Sequence, residues 1–202
     1  MDAFTTGVVA GYGIAIPVGA IAILIVDIGI RRGLQPAFFA GAGAATADFL
    51  YAGLAVLGGS ALAAAVESIG PALRIMSALV LAVIALAGLA RVRRPIEPSP
   101  NNPSTGDLGR IYARVLGLTL INPTTVVYFT AVVIGLGVAE GMTAGDGALF
   151  VIGAFLASLS WQTVLAAAGA LAGQRLPAGA RTLVSVLGNV LILAFAVVIL
   201  LS

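Results

Sequence analysis

The chain of 202 residues contains no cysteine, no histidine and no lysine, and its ten basic residues are all arginine. Without cysteine there is no disulfide framework and no thiolate nucleophile. Zinc and copper favour imidazole and thiolate ligands, so a tight site for either metal is not expected, and no cofactor is implied. Intramembrane proteolysis would need a serine with a base, paired carboxylates or a zinc motif, and no HExxH helix exists. With so few catalytic groups the chain does not read as an enzyme. Nothing in it suggests a nucleic-acid surface. Charge of either sign is scarce. Only 9% of residues are charged and 60% are hydrophobic, whereas a soluble domain carries about 25% charged residues.

What is abundant is long apolar runs. About 20 residues span a hydrocarbon core of about 30 Å, and six windows are long enough: 4–30, 37–57, 72–90, 115–139, 147–173 and 182–201. In lipid the backbone must satisfy its own hydrogen bonds, so these windows are expected to be helices. The polar–apolar alternation of a membrane β-barrel is absent. The first window lacks the basic leader of a signal peptide and is too long for one, so it reads as a first span. The expected fold is an all-α membrane protein with six transmembrane helices.

Arginine placement orients them. Arg31, Arg32, Arg91, Arg93, Arg94, Arg110, Arg114, Arg175 and Arg181 fall on one side and only Arg74 on the other. Basic loops stay cytoplasmic, which places both termini outside. The connection 91–110 carries Pro95, Pro98, Pro100 and Pro103 with no apolar periodicity. It reads as a cytoplasmic linker between two three-helix units, 1–90 and 111–202. Sliding the second unit back by 106 positions aligns Gly11 with Gly117, Pro17 with Pro123 and Gly29 with Gly135. Further on, "TADFLY" (Thr46 to Tyr51) faces "SLSWQT" (Ser158 to Thr163), so that Thr46 meets Ser158 and Asp48 meets Ser160. The first helices of the two units would run in opposite directions. Inverted repeats of this kind are the architecture of many secondary transporters; the plainer reading is chance likeness among Ala/Gly/Leu-rich helices.

The paired prolines point to a site. Proline has no N–H, so the carbonyls of Gly13 and Thr119 are expected to lose their helical donors. Gly19 loosens the helix beside Pro17, while Asn122 and Thr124 add polar groups beside Pro123. Freed carbonyls can accept a cation, and a restarting helix presents N–H groups to a carboxylate. The alternative is a kink with no ligand.

Asp48 sits in the middle of the second window. On insertion scales a central Asp costs roughly 2.5–3.5 kcal/mol. Phe38, Phe39, Phe49, Leu50, Leu54, Val56 and Leu57 together return roughly 2–4 kcal/mol, so the span inserts with little margin. Helical spacing puts Gly41, Ala45 and Ala52 on the Asp48 face, directing it at protein rather than lipid. A carboxyl group that exchanges its proton for a cationic group is a coupling site; the alternative is a neutral Asp held permanently by hydrogen bonds to the first or fifth helix. Asp27 lies one turn before Arg31. It reads either as half of a helix-surface ion pair or as a vestibule charge for cationic substrate. The small-residue faces can pack within the chain or against a partner, and six spans make a thin bundle, which favours a homodimer.

The segment "IPVGAIAILIVDIGIRRGLQPAFFAGAGAATADFLYAGLAVLG" (Ile16 to Gly58), with "LTLINPTTVVYF" (Leu118 to Phe129), resembles the LysE family of amino-acid exporters. The likeness covers essentially the whole chain. It implies a small bacterial inner-membrane protein exporting an amino acid or related solute, driven by the proton gradient or membrane potential. Ala20 stands where the family often has a second proline, and Asp27 where a basic residue is frequent. Both departures fall in the helix assigned to substrate recognition, so the particular substrate is not implied. The candidate substrate and coupling residues are Asp48, Gly13, Pro17, Gly19, Thr46, Thr119, Asn122, Pro123, Thr124, Ser158 and Ser160. The competing reading is a non-transporting structural or assembly protein of the same fold.

The arginine asymmetry makes a direct prediction. Single cysteines introduced at Asp2, Ser104 and Ser202 of this cysteine-free chain should report topology. An impermeant maleimide applied outside should label positions 2 and 202 and spare 104; the reverse pattern would invert the orientation.

Overall fold

The computed structural model describes residues 2–17, 19–92, 104–122, 125, 129 and 142–201, without side chains at 59–71, 73, 74, 91, 92 and 178. Among these residues the chain is helical throughout, with no strand. The helices are α1 (Ala3–Ala15), α2 (Ala20–Arg32), α3 (Leu34–Val92), α4 (Thr105–Leu120), α5 (Ala144–Arg175) and α6 (Ala178–Leu201).

The starts follow from local chemistry. Asp2 caps α1 by accepting the Thr5 N–H at 2.8 Å. Ser104 and Thr143 cap α4 and α5, each accepting the N–H of an aspartate three residues on at 3.2 Å and donating its hydroxyl to that carboxylate at 2.7 Å. The pattern is that of a capping box with Asp in place of Glu, except that the carboxylate accepts from the cap hydroxyl rather than from the cap backbone N–H. The hydroxyl of Ser104 holds Asp107 below the usual carboxylate range. That cap is therefore intact at neutral pH and is lost only as pH falls through the lowered value. Between α2 and α3 a single glycine makes the turn. Gly33 has φ 85°, a backbone region that L side chains rarely adopt.

One of the expected spans is broken and two others are joined. The first window is two helices, α1 and α2, bent by 77° across the stretch that contains Pro17. The second and third windows form one helix with non-helical backbone at Gly58 (φ −165°, ψ 46°); the Ala-rich sequence after Gly58 sustains the helical state. The fourth window is helical to Leu120, and most of its remainder lies outside the described residues. Among the described residues, three helices can each cross a bilayer by length and composition, or four when the bent pair counts as one span.

Small residues fill the interior and large ones face out. Ala37, Ala40, Ala45, Ala52, Ala55 and Ala85 are fully buried, while Leu57, Leu79, Val83, Leu171, Leu183 and Val198 are exposed. This inversion of the soluble pattern suits a lipid surround, where close backbone approach rather than apolar burial drives helix association. Glycine makes that approach at α5. A Cβ on Gly7 would stand 2.1 Å from the Phe150 carbonyl oxygen, and one on Gly11 2.4 Å from that of Ala154. Further along, Gly29 meets Gly169 and Ala170, so α1 and α2 both run parallel to α5.

The first arm of α3 runs antiparallel to α5, since Gly41 meets Gln162 and Val56 meets Gly147. It runs parallel to α4, with Tyr112 bonded to Thr46 and Tyr51 to Leu120. The second arm returns antiparallel to α4 and to α6, bonding Ser77 to Ile121 and setting Gly88 against Asn189. These directions gather Arg31, Arg32, Arg110, Arg114, Arg175 and Arg181 at one end of the bundle.

Replacing Gly11 by leucine should separate α1 from α5. Overpacking at a close contact costs about 1–3 kcal/mol, and more where the obstacle is backbone. Gly11→Leu should lower the thermal midpoint in detergent, whereas Gly53→Leu, with nothing within 4 Å of its added Cβ, should leave it unchanged.

Candidate functional site

α1 and α2 fasten to α5 at two places, around Gly7 and Gly11 and again around Gly29. Between these contacts the chain bends, and Ile14, Ala15, Pro17 and Gly19 to Ala22 line a cavity of about 130 Å³. A cavity of this order is large enough for a benzene-sized guest. Opposite the bend stand Ala44 and Asp48 of α3, Gln162 of α5, and Thr119, Asn122 and Thr125 at the end of α4. Phe195 and Ile199 of α6 and Leu81 of α3 contribute apolar wall.

Asp48 is 4% exposed. The Ser158 hydroxyl donates to its Oδ2 at 2.6 Å, a charge-assisted geometry if the carboxyl is ionised. Ser158 itself is fully buried behind it. One turn further along α5, Gln162 is 6% exposed, and its Oε1 is buried with no hydrogen-bond partner among the described residues. A buried acceptor without a donor costs about 1–3 kcal/mol, and the residue that carries it shares a cavity wall with Asp48. An ammonium group, with three donors and no acceptor, matches that pair chemically.

The end of α4 is stabilised from α3. The Tyr51 hydroxyl donates to the Leu120 carbonyl and the Ser77 hydroxyl to that of Ile121. Tyr51 also stacks on Phe129, with centroids 5.6 Å apart. The Thr119 carbonyl, expected to be free, instead accepts the Asn122 N–H at 3.2 Å. A tighter final turn replaces the donor that Pro123 cannot supply. The helix end is thus largely satisfied internally, and the polar groups turned to the cavity are side chains.

The structure sorts the residues expected from sequence. Asp48, Pro17, Gly19, Thr119 and Asn122 line the one cavity. Gly13 lies on the exposed side of α1 and does not line it. Thr46 turns toward α4, donating to the Ala42 carbonyl and accepting from Tyr112. Ser158 stands behind Asp48, and Ser160 pairs with Tyr12 at 2.8 Å on the α1–α5 face. Pro123 and Thr124 lie outside the described residues. Gln162 and Thr125 were not among the expected residues. Gln162 carried a visible signal, an amide beside Ser158, Ser160 and Thr163 in a long apolar span.

Replacing Tyr51 by phenylalanine would leave the Leu120 carbonyl without this donor. A loss of about 1–3 kcal/mol is expected, read as a lower thermal midpoint, while the smaller change Tyr12→Phe, at an exposed pair, should have little effect.

Comparison with curated proteins found no match, and comparison with solved structures found none. The sequence does match one family, described as LysE type translocator, over residues 13–202. That span includes the bend of α1 and α2, the Asp48 cavity and the helix ends around it. With several helices able to cross a membrane, the chain belongs to the LysE type translocator family.

Proposed function

We propose that the chain is a secondary transporter that exports an amino acid or related small solute across the bacterial inner membrane, with Asp48 as the carboxyl group that couples export to protons or membrane potential. One observation carries this reading: Pro17 and Gly19 from one helix break, and Thr119, Asn122 and Thr125 beside the other, line a single cavity with Asp48. Broken helices meeting near mid-depth are the usual construction of a transporter site.

The architecture proposed is six spans in two inverted repeats, 1–90 and 111–202, tethered by the 91–110 linker. Helix directions support it. α1 and α2 run parallel to α5, α5 antiparallel to the first arm of α3, and that arm parallel to α4. The leading helices of the two halves therefore run in opposite directions. The offset of 106 positions pairs Gly13 with Thr119 and Gly19 with Thr125, and Gly19, Thr119 and Thr125 line the cavity. The shared arginine end is assigned to the cytoplasm and the termini to the outside. The bilayer is the surrounding partner and a homodimer the proposed assembly; catalysis has no part in the reading.

Reconstitution with an imposed pH gradient tests it. The wild-type chain should release labelled amino acid from loaded proteoliposomes. Asp48→Asn keeps an acceptor for the Ser158 hydroxyl and so should insert and elute as the wild type does, yet lose proton-coupled export by about tenfold or more, the equivalent of 1.4 kcal/mol at the least. Wild-type rates in that variant would remove Asp48 from coupling. Absence of flux of every amino acid in the wild type would return the chain to a non-transporting role.

A further inference from the structure

The arginine end of the bundle holds a second pocket, also about 130 Å³, that the central site does not use. Asp27, Arg31 and Arg32 of α2, Arg114 of α4 and Asn189 of α6 line it, over apolar walls from α2, α3 and α4. Three guanidinium groups face one carboxylate there, a formal excess of two positive charges (3 − 1).

Arg31 is the informative member. Its Nε donates to both oxygens of Asp27 at 3.0 Å. This is the i,i+4 pair read from the sequence, but it is not an exposed one: the two side chains are only 17% and 15% accessible. The Nη2 of the same guanidinium is buried with no hydrogen-bond partner among the described residues. A buried donor without an acceptor is costly, and more so when charged. Arginine cannot escape by losing its proton. Asp27 occupies the Nε side, so it fixes the orientation of the group without satisfying its other edge. Arg32 and Arg114, both exposed, add like charge around the pocket and disfavour its remaining empty of anions.

We propose that this pocket binds one oxyanion, a carboxylate or a phosphate. Arg31 makes the inner contact, Arg32 and Arg114 form the rim, and Asp27 is the positioning residue that presents Arg31. Guanidinium groups recognise these planar or tetrahedral anions by paired N–H donors. The anion has two sources, the acid group of a dissolved solute or the phosphate of a lipid headgroup.

The full-length chain in nanodiscs tests this without reference to transport. In phosphatidylcholine alone, sodium acetate and inorganic phosphate are each titrated against sodium chloride at matched ionic strength, and the thermal midpoint is followed. A saturable rise of about 3 °C is expected at tenfold excess over the dissociation constant. Arg31→Gln should abolish the rise, and Arg31→Lys, which keeps charge but not the fork, should reduce it. Should those variants fail to fold, the exposed substitutions Arg32→Gln and Arg114→Gln should each weaken the apparent anion affinity severalfold. Discs that also contain phosphatidylglycerol separate the sources. Loss of the acetate response there, with a raised starting midpoint, identifies a lipid phosphate as occupant; a retained response identifies a dissolved anion. No rise beyond chloride with acetate, phosphate or phosphatidylglycerol, or an equal rise in the arginine variants, overturns the proposal.

Discussion

A backbone carbonyl that loses its helical donor at bilayer depth has no water to turn to, and the interior of this protein is arranged around that constraint. At the end of α4 three successive carbonyls are accounted for: Thr119 by the Asn122 N–H, Leu120 by Tyr51 and Ile121 by Ser77. Both hydroxyl donors come from α3, one from each side of its break at Gly58. The two arms of α3 therefore embrace the end of α4. Satisfying the helix break and assembling the bundle are one event. The same register places Asp48, one turn before Tyr51 on the first arm, in the cavity wall beside that helix end.

The opposite wall depends on glycine. α5 is unbroken over its 32 residues, and it is the straight element against which a bent one is held. Backbone contacts at Gly7, Gly11, Gly153, Gly169 and Gly173 fasten α1 and α2 to it at their far ends. A bend fixed at both ends must leave room at its elbow. The cavity is the room left, and Gln162 and Asp48 stand in its wall. Small residues thus set the shape of the site from a distance, while touching none of its polar atoms.

Much of this was legible beforehand. Apolar windows, arginine placement and paired prolines are strong signals because lipid enforces them: spans need length, loops need charge, and a missing N–H cannot be hidden. Asp48 stood out because a carboxyl group in an apolar span is expensive. Three expected residues stand apart from the cavity for equally physical reasons. Gly13 was chosen for its carbonyl, yet a carbonyl leaves no trace of its direction in sequence. Thr46 and Ser160 are polar and one turn or less from site residues, but small rotations about a helix axis separate a cavity from a neighbouring helix. Hydroxyls can also bond back to their own helix, as Thr46 does to Ala42, so their presence in a span says little about a ligand. Gln162 carried more information than they did. An amide is too long and has too many hydrogen-bonding sites to be satisfied by its own helix.

Charge is distributed along the molecule in a way that bears on the proposed direction of movement. The arginine end has an excess of guanidinium groups, whereas no arginine lines the central cavity, whose one ionisable side chain is Asp48. On the proposed reading, a zwitterionic solute arriving from the cytoplasm meets groups that favour its acid end first. It then meets a carboxyl group and an unpartnered amide oxygen that favour its ammonium end. The first region is positive in excess, its one carboxylate paired with Arg31, and the second has no cationic side chain in its lining, so neither need hold the solute tightly. A transporter requires that weakness, because a site that bound both ends with full complementarity would stabilise one conformation and slow release.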